Sequence, residues 1–531
     1  MKKLLLLPLL ALLSIAAHAQ TPDWSTKVAP ILFNHCASCH HDGGIAPFSL
    51  TTYLDAVHYA ASIKADVNSK KMPPWPPDPT FSHMAHERIL SAADINTINR
   101  WVDGGTPLGT PSLAPPVPVY STTGVIPGTP DLVVRIPTYT STATTGDVYQ
   151  CFAIPSGLLT DKFIRAFEAV PGNPAMVHHV LVYSDTTGIC PHLDSLSPGP
   201  GYPNFGGTGS NNSEMVGIWV PGSDPMTYPN GYGLKLRANC DLVVQMHYPA
   251  GTAGLKDSTE IRFFFAPSTG LRQVFIQPLL YHEAPIIDAP LTIPANTVKT
   301  FTEQFPPAGI PFSIGDQSLL GIFPHMHLIG RSIKSYGILP SGDTDRYIRI
   351  NKWDFHWQGF YMLPRLKKIP DLTSLRAEAV YDNTTANPEN PSNPPQDVVA
   401  GEATTNEMMI VFFLYTAYAP GDENVIVDSA VALSTASQYA NYYRGQQLLD
   451  VCPNPAVSDI IIKCYLEEQD QGNIDLIDMQ GKVVKQLMTN ATIGSGYSAF
   501  TFPVSGLAPG TYSVVLKTSQ RVLSQKVVVV H

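Results

Sequence analysis

The apolar positions of this chain change their pattern several times between the N-terminus and the C-terminus. Residues 4–17 are almost continuously apolar, follow Lys2 and Lys3, and lead into Ala17-His18-Ala19. That pattern predicts a cleavable secretory signal over residues 1–19, too short for a comfortable transmembrane helix. From about 21 to 105 apolar residues recur at helical spacing, most clearly over 51–70. Ser91-Ala92-Ala93-Asp94 reads as a capping box before a last helix running through Trp101. Residues 106–130 are rich in Pro, Gly, Thr and Ser and predict a linker. From Asp131 onward, short Val/Ile/Thr/Tyr runs interrupted by Gly and Pro predict strands. Turn-rich stretches divide them into blocks at 131–290, 291–447 and 448–531.

A chain of 531 residues exceeds one core and calls for several domains. Only 14% of residues are charged, the formal net charge is −10, and no Lys/Arg block occurs. Nothing here provides an electrostatic footprint for nucleic acid or an anionic membrane surface, and neither partner is expected. No later stretch matches the first apolar run without a Pro or a charge, so the mature chain is expected to be exported with no transmembrane segment.

Cys36-Ala37-Ser38-Cys39-His40 has the spacing at which two thiols bond haem vinyl groups and the adjacent imidazole becomes the proximal ligand. The expected distal ligand is Met72, in Lys71-Met72-Pro73-Pro74-Trp75, with Met84 as competitor and His83 and His86 behind it. Taken from CASCH to the Arg100-Trp101-Val102-Asp103 helix end, this segment resembles a bacterial class I cytochrome c domain. The resemblance implies a small all-α unit carrying haem c and relaying one electron at a time.

Four further motifs place imidazole and thioether groups in the strand-rich region: VHHVLVY at 177–183, QMHYPAG at 245–251, FPHMHLIG at 323–330 and NEMM at 406–409. On a strand, His325 and His327 point to one face, ready to clamp a metal. His178 and His179 are strand neighbours and reach one metal only through irregular backbone. His247, at the end of an apolar strand, is the natural third ligand. Imidazole suits copper, zinc, iron or nickel, and Met408 tilts its site toward Cu(I). His192, His282, His356 and the DFHWQGFY stretch offer no partner spacing.

In that order the four motifs resemble the copper type II, ascorbate-dependent monooxygenases, the family of peptidylglycine α-hydroxylating and dopamine β-hydroxylating enzymes, over roughly 131–450. The resemblance implies two tandem jelly-roll-like β-sandwiches and two copper ions. His178, His179 and His247 would hold the copper that receives electrons; His325, His327 and Met408 would hold the oxygen-activating copper. It further implies O2, a small organic substrate and an electron donor, ascorbate or a cytochrome. Peptide-amidating members grip a carboxylate with an Arg and polar residues where this chain has Phe323, Ile410 and Phe412, so an apolar or aromatic substrate is expected here.

Five cysteines remain after the haem pair. A Cys151–Cys190 bridge would match the family's stapling of its first domain; Cys452 and Cys464 stand a hairpin apart, and Cys240 is left over. The segment from Cys452-Pro453-Asn454-Pro455 through GLAPGTYSVVL to QKVVVV resembles the sorting domain of proteins exported by type IX secretion, an immunoglobulin-like β-sandwich recognised by that machinery. The expected protein is mainly β, secreted or cell-surface, and a copper-dependent monooxygenase with a fused haem. The rival is a non-catalytic secreted redox or copper-binding module; a zinc hydrolase is disfavoured by the thioether and by the lack of a Glu spaced as a general base.

Overall fold

A computed structural model describes residues 21–530 except 45, 121–123, 127, 205–206, 222, 268–269, 283–286, 288–289, 310–312, 402, 428–448, 453–454, 467–468, 479–481, 494–495 and 520–521. The expected signal segment, 1–19, lies outside the described residues. The architecture is mainly β, preceded by a small helical unit.

The helical unit forms around Trp24, Leu32, Ile98 and Trp101, all buried in one cluster. Asp23 opens it by accepting the Thr26 N–H at 2.8 Å. The 51–70 stretch is two helices, Tyr53–His58 and Ala60–Asn68. The reciprocal capping box is made by Thr52 and Asp55, whereas Ser91 caps Ala92–Asp103 in one direction only, accepting from Asp94 N at 3.0 Å. The expected linker is tethered at both ends. Trp24 N donates to Pro107 O at 2.8 Å, and Tyr120 stacks on His41 at 4.1 Å.

The two central blocks are joined by one nine-stranded sheet. Its first half, Leu132–Arg135, Glu260–Phe265, Lys162–Val170 and Tyr232–Leu236, faces a five-stranded sheet that includes Val148–Pro155, Asp241–Tyr248 and His179–Asp185. Its second half is Arg272–Tyr281, Ile410–Ala417, Gln317–His325 and Tyr361–Ile369, with a four-stranded sheet beside it. The halves meet where Arg272–Tyr281 runs parallel to Tyr232–Leu236 over three residue pairs. Arg272–Tyr281 therefore pairs mainly with the second block, through Ile410–Ala417, although it precedes residue 290. The junction is pinned by Asp422, whose carboxylate binds Arg272 and accepts from Tyr232 Oη at 3.1 Å and Ser318 Oγ at 2.6 Å.

A segment of the helical unit docks on the second block. Met84 is buried in that block's core and Trp75 packs against it. Asp78 N donates to Arg349 O at 2.8 Å, Arg349 Nη2 reaches Asp78 Oδ2 at 2.6 Å, and Ala85 N donates to Met362 O at 2.7 Å. Met84 is thus committed to a β core and unavailable as a haem ligand. Residues 449–529 form a three-stranded and a four-stranded sheet around a separate core containing Ile462, Leu476 and Val514.

Candidate metal centre

Three imidazoles converge on the five-stranded sheet. His247 is the penultimate residue of the strand Asp241–Tyr248, opposite His179 in the antiparallel ladder. His178 lies just before the strand His179–Asp185, and its N–H donates to His247 O at 3.0 Å. The irregular backbone needed to turn adjacent histidines to one point is therefore a strand beginning, with no bulge. His179 Nδ1 lies 3.4 Å from His178 Nδ1 and 3.2 Å from His247 Nδ1, and one ring nitrogen from each residue lies within 4.8 Å of the others. Asp147 accepts from His247 Nε2 at 2.8 Å through one oxygen, and from Ala250 N at 2.9 Å through the other. That fixes the proton on Nε2 and leaves the Nδ1 lone pair facing the cluster.

The second set uses the opposite ring nitrogens. His325 is the last residue of Gln317–His325, and His327 lies beyond it in a turn, so the pair is positioned by the strand's end and not by alternation alone. Gln358 Nε2 donates to Phe355 O at 2.7 Å, which makes its Oε1 the acceptor for His325 Nδ1–H, also at 2.7 Å. His327 Nδ1 donates to Asn406 O at 3.1 Å. Both rings therefore present Nε2, with ring centroids 5.1 Å apart. Glu407, fully buried, clamps the surrounding backbone: its carboxylate accepts from His327 N and Ile329 N, each at 2.8 Å, and from Met408 N at 3.2 Å. Tyr381 Oη donates to Met408 O at 2.8 Å. These contacts tie the HxH turn to the methionine segment.

Burial holds the imidazoles neutral. It pushes His178 and His325 down to about 4 and His327 to about 3, and it lowers His179 and His247 as well, the latter against the pull of Asp147. Neutral imidazole is the metal-binding form.

His178 and His179 of the first set and both histidines of the second open on one cavity of about 240 Å³, into which Met408 also faces, while His247 lies buried behind them. Phe323, Ile410 and Phe412 line it, and Phe323 stacks on Phe412 at 5.5 Å, so the three positions that depart from a carboxylate grip form one apolar wall. The DFHWQGFY stretch, for which sequence spacing gave no role, bridges the two sets. Gln358 holds His325, Phe355 lies edge-on to His327 at 5.9 Å, and His356, paired with Asp354, lies 5.7 Å from His178 between ring centroids. Asp147, Gln358 and Glu407 were missed by motif reading. Only Glu407 carried a signal, a carboxylate directly beside the proposed thioether and just ahead of the apolar strand Ile410–Ala417.

In the helical unit, His40 Nδ1 lies 3.0 Å from Phe48 O, leaving Nε2 free, and the thiols of Cys36 and Cys39 are unbridged and partly exposed. Met72 is half-buried, three residues before Trp75. Among the described residues no disulfide occurs. Cys151 and Cys190 share one small buried cluster, but their thiols point to Gly207 O and Thr208 O. Cys240 is buried with its thiol on Ser156 Oγ. In the C-terminal ladder Cys464 lies opposite Leu449 and Cys452 opposite Ile461. Three positions of stagger separate the two by about 10 Å, beyond the reach of a disulfide.

Residues 450–530 match the secretion system C-terminal sorting domain, which indicates export through type IX secretion to the cell surface or extracellular space. No described helix is long and apolar enough to cross a membrane. The chain is 22% identical to DBH-like monooxygenase protein 1 of Gallus gallus over 45% of its length and 39% of the relative's. It is 24% identical to the Mus musculus protein of that name over 51% and 44%, and 25% identical to DBH-like monooxygenase protein 2 of Mus musculus over 50% and 43%. The chain thus spans about two fifths of the length of these relatives. A beta-glucuronidase of Parabacteroides merdae aligns at 8% identity over 51% of this chain and 32% of that one, with a TM-score of 0.12, too low to bear on the fold. Over about half its length, the chain is distantly similar to DBH-like monooxygenases and carries a type IX sorting domain at its C-terminal end.

Proposed function

We propose that this chain is an exported copper-dependent monooxygenase that hydroxylates a C–H bond of an apolar or aromatic substrate with O2. The observation that carries the reading is that His178 and His179 of one imidazole set and His325 and His327 of the other line one cavity, the first set presenting Nδ1 and the second Nε2, with Met408 beside the second. The donor chemistry fits copper: neutral imidazoles for both oxidation states, and a thioether favouring Cu(I). His178, His179 and His247 would hold one ion, and His325, His327 and Met408 the other. Bound copper would supply one-electron redox chemistry and oxygen activation at the second site.

The protein's own contribution is geometric. Asp147, Gln358 and the Asn406 carbonyl keep the ring protons of His247, His325 and His327 away from the metal side, so those three donor lone pairs stay aimed without rearrangement. Phe323, Ile410 and Phe412 exclude water and pack the hydrocarbon part of a substrate beside His325 and His327. CASCH would hold haem c through Cys36 and Cys39, with His40 and Met72 as axial ligands, and the haem would relay electrons from a donor such as ascorbate or a cytochrome. The Phe48 carbonyl fixes the His40 tautomer as that role requires.

The test is Met408→Leu, which preserves apolar volume and removes the sulfur. With copper and reductant supplied, the parent should consume O2 and add one oxygen atom to members of an aromatic and aliphatic panel, and the variant should not. Unchanged turnover in the variant would refute the second site; turnover confined to a glycine-extended peptide would refute the substrate class.

A further inference from the structure

We propose that electrons from the haem domain are delivered directly to the His325/His327/Met408 site, through Trp75, Tyr361 and Gln358, and not by way of the three-histidine site. The inference rests on the proposed function and assigns the route within it.

Trp75 follows Met72 by three residues, a reach of at most about 11 Å along the chain, so the loop that would present the distal haem ligand also presents this indole. Trp75 meets Tyr361 edge to face, centroids 5.7 Å apart. Its buried indole N–H has no hydrogen-bond partner, so packing alone seats it there. The Asp78–Arg349 pair and the buried Met84 hold the residues that follow Trp75 against the second block.

From Tyr361 two bonded paths converge on one ligand. Tyr361 Oη donates to Trp357 O at 3.5 Å, and the next residue, Gln358, accepts from His325 Nδ1 at 2.7 Å. Tyr361 also stands opposite Ile322 in the ladder, three residues before His325 on the same strand. The corresponding branch toward the three-histidine site runs through His356 and ends at a ring-to-ring approach of 5.7 Å to His178. Electronic coupling through bonds and hydrogen bonds exceeds coupling across a gap, so His325 is the better-connected acceptor. In the step one electron leaves ferrous haem, giving ferric haem, and reduces Cu(II) to Cu(I) at the site of His325; no bond is made or broken.

The experiment uses the full chain with haem attached and both copper sites loaded. The haem is photoreduced anaerobically by a flavin flash, and its α band is followed. The expected result is a first-order decay, independent of protein concentration, that is lost in His325→Ala and in His327→Asn and retained in His247→Ala. Trp75→Leu should slow it by roughly an order of magnitude, because a gap replaces the packed ring, and Trp75→Phe should slow it less. Decay that survives in the His325 and His327 variants and disappears in His247→Ala would overturn the route, as would an unchanged rate in Trp75→Leu. A haem band and two copper signals without any intramolecular decay would overturn the route alone. A matured chain without a haem band would overturn the haem assignment and the route together.

Discussion

Replacing Asp147 by Asn tests whether the three-histidine cluster is built to bind metal. Asp147 spends one oxygen on His247 Nε2 at 2.8 Å and the other on Ala250 N at 2.9 Å. An Asn can satisfy only one of these donors, because its amide nitrogen would face the second. His247 itself stays buried, stacked on Tyr149 at 4.3 Å, so the loss falls on tautomer and lone-pair direction and leaves packing in place. Loss of such an outer-shell carboxylate costs about 10- to 100-fold in metal affinity, or about 1.4–2.7 kcal/mol. The Asp147 side chain is 35% exposed, which favours the lower half of that range. Competition titration of Cu(II) against a chelator should show one site weakened by that factor and the other unchanged. Equal affinity in parent and variant, or equal weakening of both sites, would refute the reasoning.

Further predictions follow from the surrounding shell. Glu407→Gln places an amide N–H₂ among three backbone donors and should cost about 1–3 kcal/mol of stability, read by denaturant unfolding, with copper at the second site weakened and the first spared. Glu303 is buried with neither oxygen hydrogen-bonded, and burial pushes its carboxyl up to about 9. The folded state therefore holds a proton that the unfolded chain has released, and stability falls as pH rises from the ordinary glutamate value toward 9. Glu303→Gln should remove that loss, which reaches at most about 4 kcal/mol near pH 7.5, and unfolding at pH 5 and pH 8 should then differ less than in the parent. Arg349→Ala removes the bonds to Asp78 and should expose the segment around 75–88 to limited proteolysis without changing the unfolding of the C-terminal domain.

The metal-ligating residue types were legible because their chemistry is local. Adjacent histidines, an HxH, a methionine just before an apolar run and CASCH all stand out in sequence, and the structure brings His178, His179 and His247 together where two paired strands adjoin. Their partners were not legible. Asp147 meets His247 across 100 positions and Gln358 meets His325 across 33, pairings that exist only once the ladders have set the register. The DFHWQGFY stretch looked inert because its role is to bridge two sites, which spacing within one segment cannot reveal. Helix content in the N-terminal unit followed periodicity, but the break at Tyr59 and the docking of Met84 into a β core did not, since tertiary packing decides both. The turn-rich stretch near 290 marks a loop and not the point where one block gives way to the next, because Arg272–Tyr281 already belongs to a sheet shared by both blocks.

The most direct test of the central claim is metal content with EPR on the chain matured with haem and loaded with copper. The account predicts two tightly bound copper ions per chain with type 2 signals, reduced to one by His247→Ala or by His325→Ala, alongside one low-spin haem. Haem with no tightly held copper, or zinc retained in preference to copper at both sites, would contradict it.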